Sequence, residues 1–201
     1  IISGRSVLQE GDPIWAYYGW ESNGLFVDQA DIDNSPTQPN SVNIKPGDIK
    51  FVDRNSDGIV DDEDRYVMGS NIPRLTFGLN TEFKYKGFDL IAFFQGALNA
   101  DMYFTDDGPQ FQNAAPTRFS GRWSPSNPDP NASMPRVTAD NNYNSTFDND
   151  FWLRDGKYIR LKNLQLGYNF NESITSKIGM SSLRIFVSGT NILTFSNLES
   201  G

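Results

Sequence analysis

In the stretch RLTFGLNTEFKYK, residues 74 to 86, hydrophobic and polar side chains alternate. Leu75, Phe77, Leu79, Phe83 and Tyr85 fall on one side of an extended chain. Thr76, Asn80, Glu82, Lys84 and Lys86 fall on the other. A period of two sustained over such a run predicts a β-strand with one apolar and one polar face. Lys86-Gly87 then offers a two-residue turn into FDLIAFFQGAL, residues 88 to 98, where Phe88, Leu90, Ala92, Phe94 and Leu98 form the apolar set. Ile91 and Phe93 blur the other face of that strand. A second pair is predicted further along. In YIRLKNLQLGYNF, residues 158 to 170, the apolar positions are first odd (Ile159, Leu161) and then even (Leu164, Leu166, Tyr168, Phe170). The phase slips at Lys162-Asn163, which predicts a β-bulge. A connector, NESITSKIGMSS, with room for a short helical turn, leads to LRIFVSGTNILTF, residues 183 to 195. There Leu183, Ile185, Val187, Leu193 and Phe195 fall together.

These strands of eleven to thirteen residues exceed the usual five or six. They match the roughly 9 to 11 residues that cross a bilayer at a tilt, with some overhang. Phe83, Tyr85, Phe88, Tyr168 and Phe170 gather at one end of the pairs, as an aromatic girdle does. The connections are unequal. One is two residues and another about a dozen, whereas residues 99 to 157 and 21 to 73 are long and rich in Pro, Asn, Asp and Ser. Two such loops are rare in a compact soluble domain and routine in outer-membrane barrels, with their short periplasmic turns and long external loops. A β-sandwich or β-helix also alternates, but the loop lengths favour the barrel.

Composition narrows the chemistry. The 201 residues contain no Cys and no His, which excludes disulfides, thiolate and imidazole metal sites and Ser-His-Asp triads. A net charge of −8 argues against a nucleic-acid partner. The 15 Phe, 8 Tyr and 4 Trp suit β-structure and sugar-contacting surfaces. The opening IISGRSVLQEGD lacks a basic stretch followed by an apolar run, and the longest purely apolar run is LIAFF, residues 90 to 94. Neither observation bears on a membrane crossed by strands. With no obvious terminal structure at either end, the sequence reads as part of something longer.

The densest candidate site is DRNSDGIVDDED, residues 53 to 64, with six acidic groups and an Asn around one Gly. It aligns with a calcium-loop template. Asp53, Asn55 and Asp57 take positions 1, 3 and 5, and Gly58 is the turn glycine at 6. Ile59 offers its carbonyl at 7, Asp61 stands at 9 and Asp64 at 12. Calcium needs hard oxygen donors at this alternate spacing so that the chain can wrap one ion. Asp in place of Glu at position 12 shortens the last grip. GDIKFV before the loop reads as extended, so the loop is mounted on β-structure and resembles the dockerin type. The expected ion is a structural Ca2+ that pins residues 45 to 73 as an external loop. The competing reading is an acidic turn held by its own backbone, with Lys50, Arg54 and Arg65 neutralising it.

Other candidates carry less. Trp15, Trp20, Trp123 and Trp152 could stack on sugars, but loop packing accounts for them more simply. Asp106-Asp107 and the Asp148/Asp150 pair suit glycoside hydrolysis by type alone; loop acidity is the expected role, with no raised pKa. Arg118, Arg122, Arg154 and Arg160 are expected to pair with loop carboxylates. No catalytic residue and no enzymatic activity are predicted.

Five stretches together carry a family resemblance: EGDPIWAYYGWESNGLF, the run from KPGDIKFVDRNSDGIVDDEDRYVMGS through YKGFDLIAFFQGA, RWSPSNP, YIRLKNLQLGYNF, and SSLRIFVSGTNILTFSN. In this order they resemble the C-terminal part of SusC/RagA-family TonB-linked outer-membrane transporters. The middle motif departs from the family pattern as YIRLKN, and the chain stops at NLESG, before the family's last strands. The resemblance implies that residues 1–201 are an all-β, antiparallel segment of a large transmembrane β-barrel with long extracellular loops. About 22 strands would enclose a plug. It further implies a bacterial outer-membrane location, lipid contact, import of oligosaccharides or peptides with a SusD-like surface lipoprotein, and coupling to TonB through an N-terminal part. The alternative is a secreted, calcium-stabilised carbohydrate-binding β-domain; a glycoside hydrolase accessory domain is weaker still.

Overall fold

The computed structural model describes residues 1–39, 44–104, 121–137 and 143–198. Along the chain run β1 (Ile2–Ser3), β2 (Ser6–Val7), β3 (Ala16–Gly19), β4 (Ser22–Leu25), β5 (Ile49–Phe51), β6 (Tyr66–Gly69), β7 (Leu75–Tyr85), β8 (Phe88–Leu98), β9 (Asp101–Tyr103), β10 (Leu153–Asp155), β11 (Tyr158–Asn169) and β12 (Arg184–Ser196). They divide into two compact units. One is formed by Ile1–Asn71 with Asp101–Arg154, the other by Ile72–Ala100 with Asp155–Glu199.

The second unit is an antiparallel sheet in the order β12-β11-β8-β7. The predicted hairpin is present, with β7 and β8 paired from Leu75↔Leu98 to Tyr85↔Phe88. Its turn residues Lys86 and Gly87 both have positive φ, 47° and 89°, the requirement of a type I′ turn. Gly is needed at 87 for space as well, because a Cβ there would stand 2.8 Å from the Asn169 carbonyl oxygen. β11 and β12 are antiparallel neighbours, as expected. The connector between them forms one helical turn, Glu172–Thr175, capped by the Asn171 side chain, and ends at Gly179 in the left-handed region.

The predicted bulge lies where the phase slips. Against β8, Leu161 faces Phe94 and Asn163 faces Phe93, so Lys162 is the extra residue. Against β12 the steps are Leu161↔Leu193 and Asn163↔Thr190, so β12 carries one residue more than β11 over the same interval. Asn191, inside that interval, has φ 51°. This double offset keeps the odd residues of β11 before the bulge on the same side as its even residues after it. Ile159, Leu161, Leu164, Leu166 and Tyr168 therefore share one face with Leu75, Leu79, Phe83, Leu90, Phe94, Ile185, Val187 and Leu193.

The first unit folds stretches whose composition reads as loop. Trp20, Leu25, Phe26, Ile49, Phe51, Val60, Trp123 and Trp152 form its buried cluster. They come from the short strands β4 and β5, from a 3-10 turn at Asp150–Trp152 and from segments with no regular structure, so no period announces them. The indole N–H groups of Trp20 and Trp152 donate to the carbonyls of Asp61 and Asn144, both at 2.8 to 2.9 Å, which lets the rings be buried. The same unit holds a fully buried carboxylate. Asp48 accepts from Arg136 Nε at 2.7 Å and Nη2 at 3.2 Å, from Asn144 Nδ2 at 2.9 Å and from the Lys45 backbone N–H. Three of the four Trp are thus packing residues; Trp15 is half exposed, at φ 55°.

Candidate functional site

The acidic loop is closed by hydrogen bonds from its own backbone. Asp53 Oδ1 accepts from the N–H of Ser56 and Asp57, and Oδ2 from Gly58 N–H. Asn55 Oδ1 takes the N–H of Asp57, and Asp57 Oδ1 that of Ile59. Gly58, at φ 92°, makes the sharp turn that the template requires at position 6. Val60 is buried in the aromatic cluster and donates its backbone N–H to the Thr37 carbonyl, while Thr37 N–H donates to the Gly58 carbonyl, which docks the loop on the unit. Asp61 caps a short turn over Asp62–Asp64. Asp64 is fully buried and accepts from the N–H of Arg54, Asn55 and Asp61 at 2.7, 3.1 and 2.9 Å. The six predicted ligand residues therefore lie along one twelve-residue loop of two successive turns, with oxygen donors of the class calcium takes. Among the described residues, no group of three or more acidic side chains is drawn together as a metal site. Of the three cations, Arg65 pairs with Asp62 of the loop and lays its guanidinium over the rings of Tyr18 and Trp20, whereas the side chains of Arg54 and Lys50 pair outside it, with Glu21 and Asp31.

Burial would raise the Asp64 pKa. The N–H groups of Asp61, Asn55 and Arg54, with the nearby Arg54 charge, outweigh it and hold the carboxyl below its ordinary value. A depressed folded pKa stabilises the fold in full above the unfolded value, about 3.9, and the contribution disappears as pH falls through the folded value. Trp fluorescence during acid titration should therefore show wild type losing stability below about pH 4, while Asp64→Asn starts weaker and declines less steeply over that window. Parallel titration curves for the two proteins would mean that Asp64 carries no such linkage.

Asp148 and Asp150 do not form a free carboxylate pair. Asp150 accepts from Ser22 N–H, Ser22 Oγ and Tyr66 Oη, so it closes the packing of β4. Asp148 faces Arg5 at 3.3 Å. Contrary to the sequence-based expectation, burial raises the Asp148 pKa, against the opposing charges of Arg5 and Arg65. Asp106, Asp107 and Arg118 lie outside the described residues. Arg154 donates to the carbonyls of Phe151 and Leu153, and Arg160 to Thr194 Oγ1 at 3.0 Å; neither pairs with a loop carboxylate among the described residues. Both were expected to do so. Arg160 stands on β11 and turns across the strand pair to Thr194 of β12.

The two faces of the long sheet differ in kind. On one, Leu75, Leu79, Phe83, Tyr85, Phe88, Ile185, Val187, Leu193 and Phe195 all stand half or more exposed. The other carries Thr76, Asn80, Glu82, Lys84, Asp89, Gln95, Arg160, Gln165, Arg184 and Ser188, interrupted by Ile91, Phe93, Tyr158 and Phe186. Asp89 binds Arg184 through both oxygens, with Nη2 at 2.5 Å, and accepts from Asn169 Nδ2. This pair lies flat across Gly167, where a Cβ would come within 2.7 Å of both partners. No helix among the described residues is long and apolar enough to cross a membrane, which says nothing of crossing by strands.

No family model matches the chain. TonB-dependent receptor P3 of Formosa agariphila is 32% identical over 194 residues, 95% of this chain and 18% of the relative. The chain matches one stretch of the SusC-type TonB-dependent receptors. SusC itself, from Bacteroides thetaiotaomicron, is 28% identical over 152 residues, 76% of this chain and 14% of its own length. The solved structure of the RagAB peptide transporter aligns with a TM-score of 0.67 at 16% identity, covering 98% of this chain and 21% of that one. The chain therefore spans about a fifth of the length of such TonB-dependent receptors. Its fold is that of an antiparallel segment of their barrel, without closing a barrel itself.

Proposed function

We propose that the chain is a wall segment, the C-terminal one, of an outer-membrane TonB-dependent transporter that imports oligosaccharides or peptides together with a SusD-like lipoprotein. The carrying observation is the single apolar face preserved across four long strands by the bulge in β11. In water that face would be a large exposed patch; against lipid it is satisfied. The polar face then lines the lumen. The turn at Lys86-Gly87 and the aromatic cluster of Phe88, Tyr168 and Phe170, with centroids 4.6 and 4.9 Å apart, fit the periplasmic interface. Residues 45–73, with the acidic loop, are read as an external loop. The named relatives favour this reading over a secreted carbohydrate-binding domain. The test is to express the full-length protein and fractionate the cells. It should enter the outer membrane, run with heat-modifiable mobility and copurify with a SusD-like lipoprotein. Recovery as a soluble protein would overturn the reading.

We further propose that the acidic loop takes calcium through Asp53, Asn55, Asp57, Asp61, Asp64 and the Ile59 carbonyl, as a structural ion. The oxygen-only donor set and the turn at Gly58 support it. Titration calorimetry should show calcium binding to wild type and a loss of at least about tenfold in affinity for Asp57→Ala, with the strands unchanged. No calcium heat at about millimolar concentration would leave the backbone hydrogen bonds as the whole account of the loop.

A further inference from the structure

We infer that the polar face of the sheet carries a recognition site for a carboxylate on the transported molecule, built on the β11 bulge from Arg160, Lys162 and Asn163. This rests on the reading that the face lines the transport lumen. Six charged residues occupy it: Glu82, Lys84, Asp89, Arg160, Lys162 and Arg184. Four of them cancel in two ion pairs, Lys84–Glu82 at 2.7 Å and Arg184–Asp89 at 2.5 Å. Arg160 and Lys162 have no carboxylate partner among the described residues. Arg160 Nε donates to Thr194 Oγ1, and Lys162 Nζ donates to Gln95 Oε1 at 3.1 Å. An acidic chain thus turns two uncompensated positive charges toward one place on its inner wall.

The bulge accounts for their crowding. In regular alternation Arg160 and Lys162 would be followed on that face by residue 164. With Lys162 as the extra residue, Asn163 faces Phe93 and joins them, while Leu164 turns to the apolar side. Three hydrogen-bond donors therefore stand within four consecutive residues. Arg160 is also held in orientation. Its guanidinium lies 5.3 Å from the Tyr158 ring centroid and its Nε is committed to Thr194, which among the described residues leaves both terminal nitrogens for a ligand. A guanidinium edge beside an ammonium and an amide matches the two oxygens of a carboxylate. Charged side chains on a barrel's lumen face set selectivity without the cost they would incur against lipid.

The test uses full-length protein in detergent at low ionic strength and two probe pairs. Tetragalacturonate is compared with maltotetraose, and the peptide Gly-Glu-Gly-Glu with its Gln-containing amide. At least one acidic probe should bind about tenfold or more tightly than its neutral counterpart. Arg160→Gln with Lys162→Gln should abolish that preference without weakening the neutral probe, and Arg160→Lys should retain most of it. The responding pair tells a uronic acid from a peptide carboxylate. No preference for either acidic probe, or a preference that survives the double variant, overturns the inference. Heat-modifiable mobility is measured on the same samples. An inserted barrel without the preference rejects the carboxylate site alone, whereas a protein that never inserts rejects the transporter reading as well.

Discussion

Replacing Leu79 by Arg should destabilise the inserted barrel by about 2 to 4 kcal/mol, whereas Asn80→Arg should be nearly neutral. The two residues are adjacent in the middle of β7 and differ only in the face they occupy. Leu79 pairs with Phe94 on the apolar side and is 54% exposed. Asn80 pairs with Phe93 on the polar side, where an Arg meets water. A charge near the bilayer midplane has no compensating partner, and from there both interfaces lie too far off for the side chain to reach water easily. Urea unfolding of the full-length protein in lipid vesicles would measure the difference. Equal losses at 79 and 80, or a larger loss at 80, would mean that the apolar face does not meet lipid.

Asp48→Ala should cost the first unit about 3 to 5 kcal/mol, the usual penalty for leaving one member of a buried ion pair alone. Asp48 is fully buried and its oxygens gather Arg136, Asn144 and the Lys45 N–H, so its removal strands several donors at once. Arg136 is only partly buried and can turn toward solvent, which sets the lower end of the range. Near-UV circular dichroism should report the loss, since Trp20, Trp123 and Trp152 are all in the cluster. An Asp48→Leu, Arg136→Met double variant should recover much of it. A loss below about 1 kcal/mol in the single variant would mean that the aromatic cluster holds the unit without this network.

The long sheet was legible because its information is local. A period of two, a Lys-Gly turn and one slip in phase specified the strands, the hairpin and the bulge before any partner was known. The first unit was not legible, because its contacts are distant. Asp48 meets Arg136 and Asn144 across 88 and 96 positions, and the aromatic residues that cover them follow no period. Pro, Asn and Asp between them read as loop, correctly for the backbone and misleadingly for the packing. The acidic loop lies between these cases. Its turn geometry at Gly58 was readable from spacing, whereas the commitment of Asp64 to three backbone N–H groups was not. The partner of Arg160 is hidden for a related reason: it lies on β12, 34 positions away.

The offset at Lys162 also bears on how the wall is put together. Between the same two rungs β8 takes one step, β11 two and β12 three. Three strands with unequal counts at one level cannot slide past one another as a body, because any shift that matches the halves on one side of the step mismatches those on the other. The step is therefore a key cut into the joint. Uniform strands of this length could zip together in several nearly equivalent alignments, each half a pleat from turning its greasy side inward. A keyed joint admits one alignment and makes a misregistered strand release and try again.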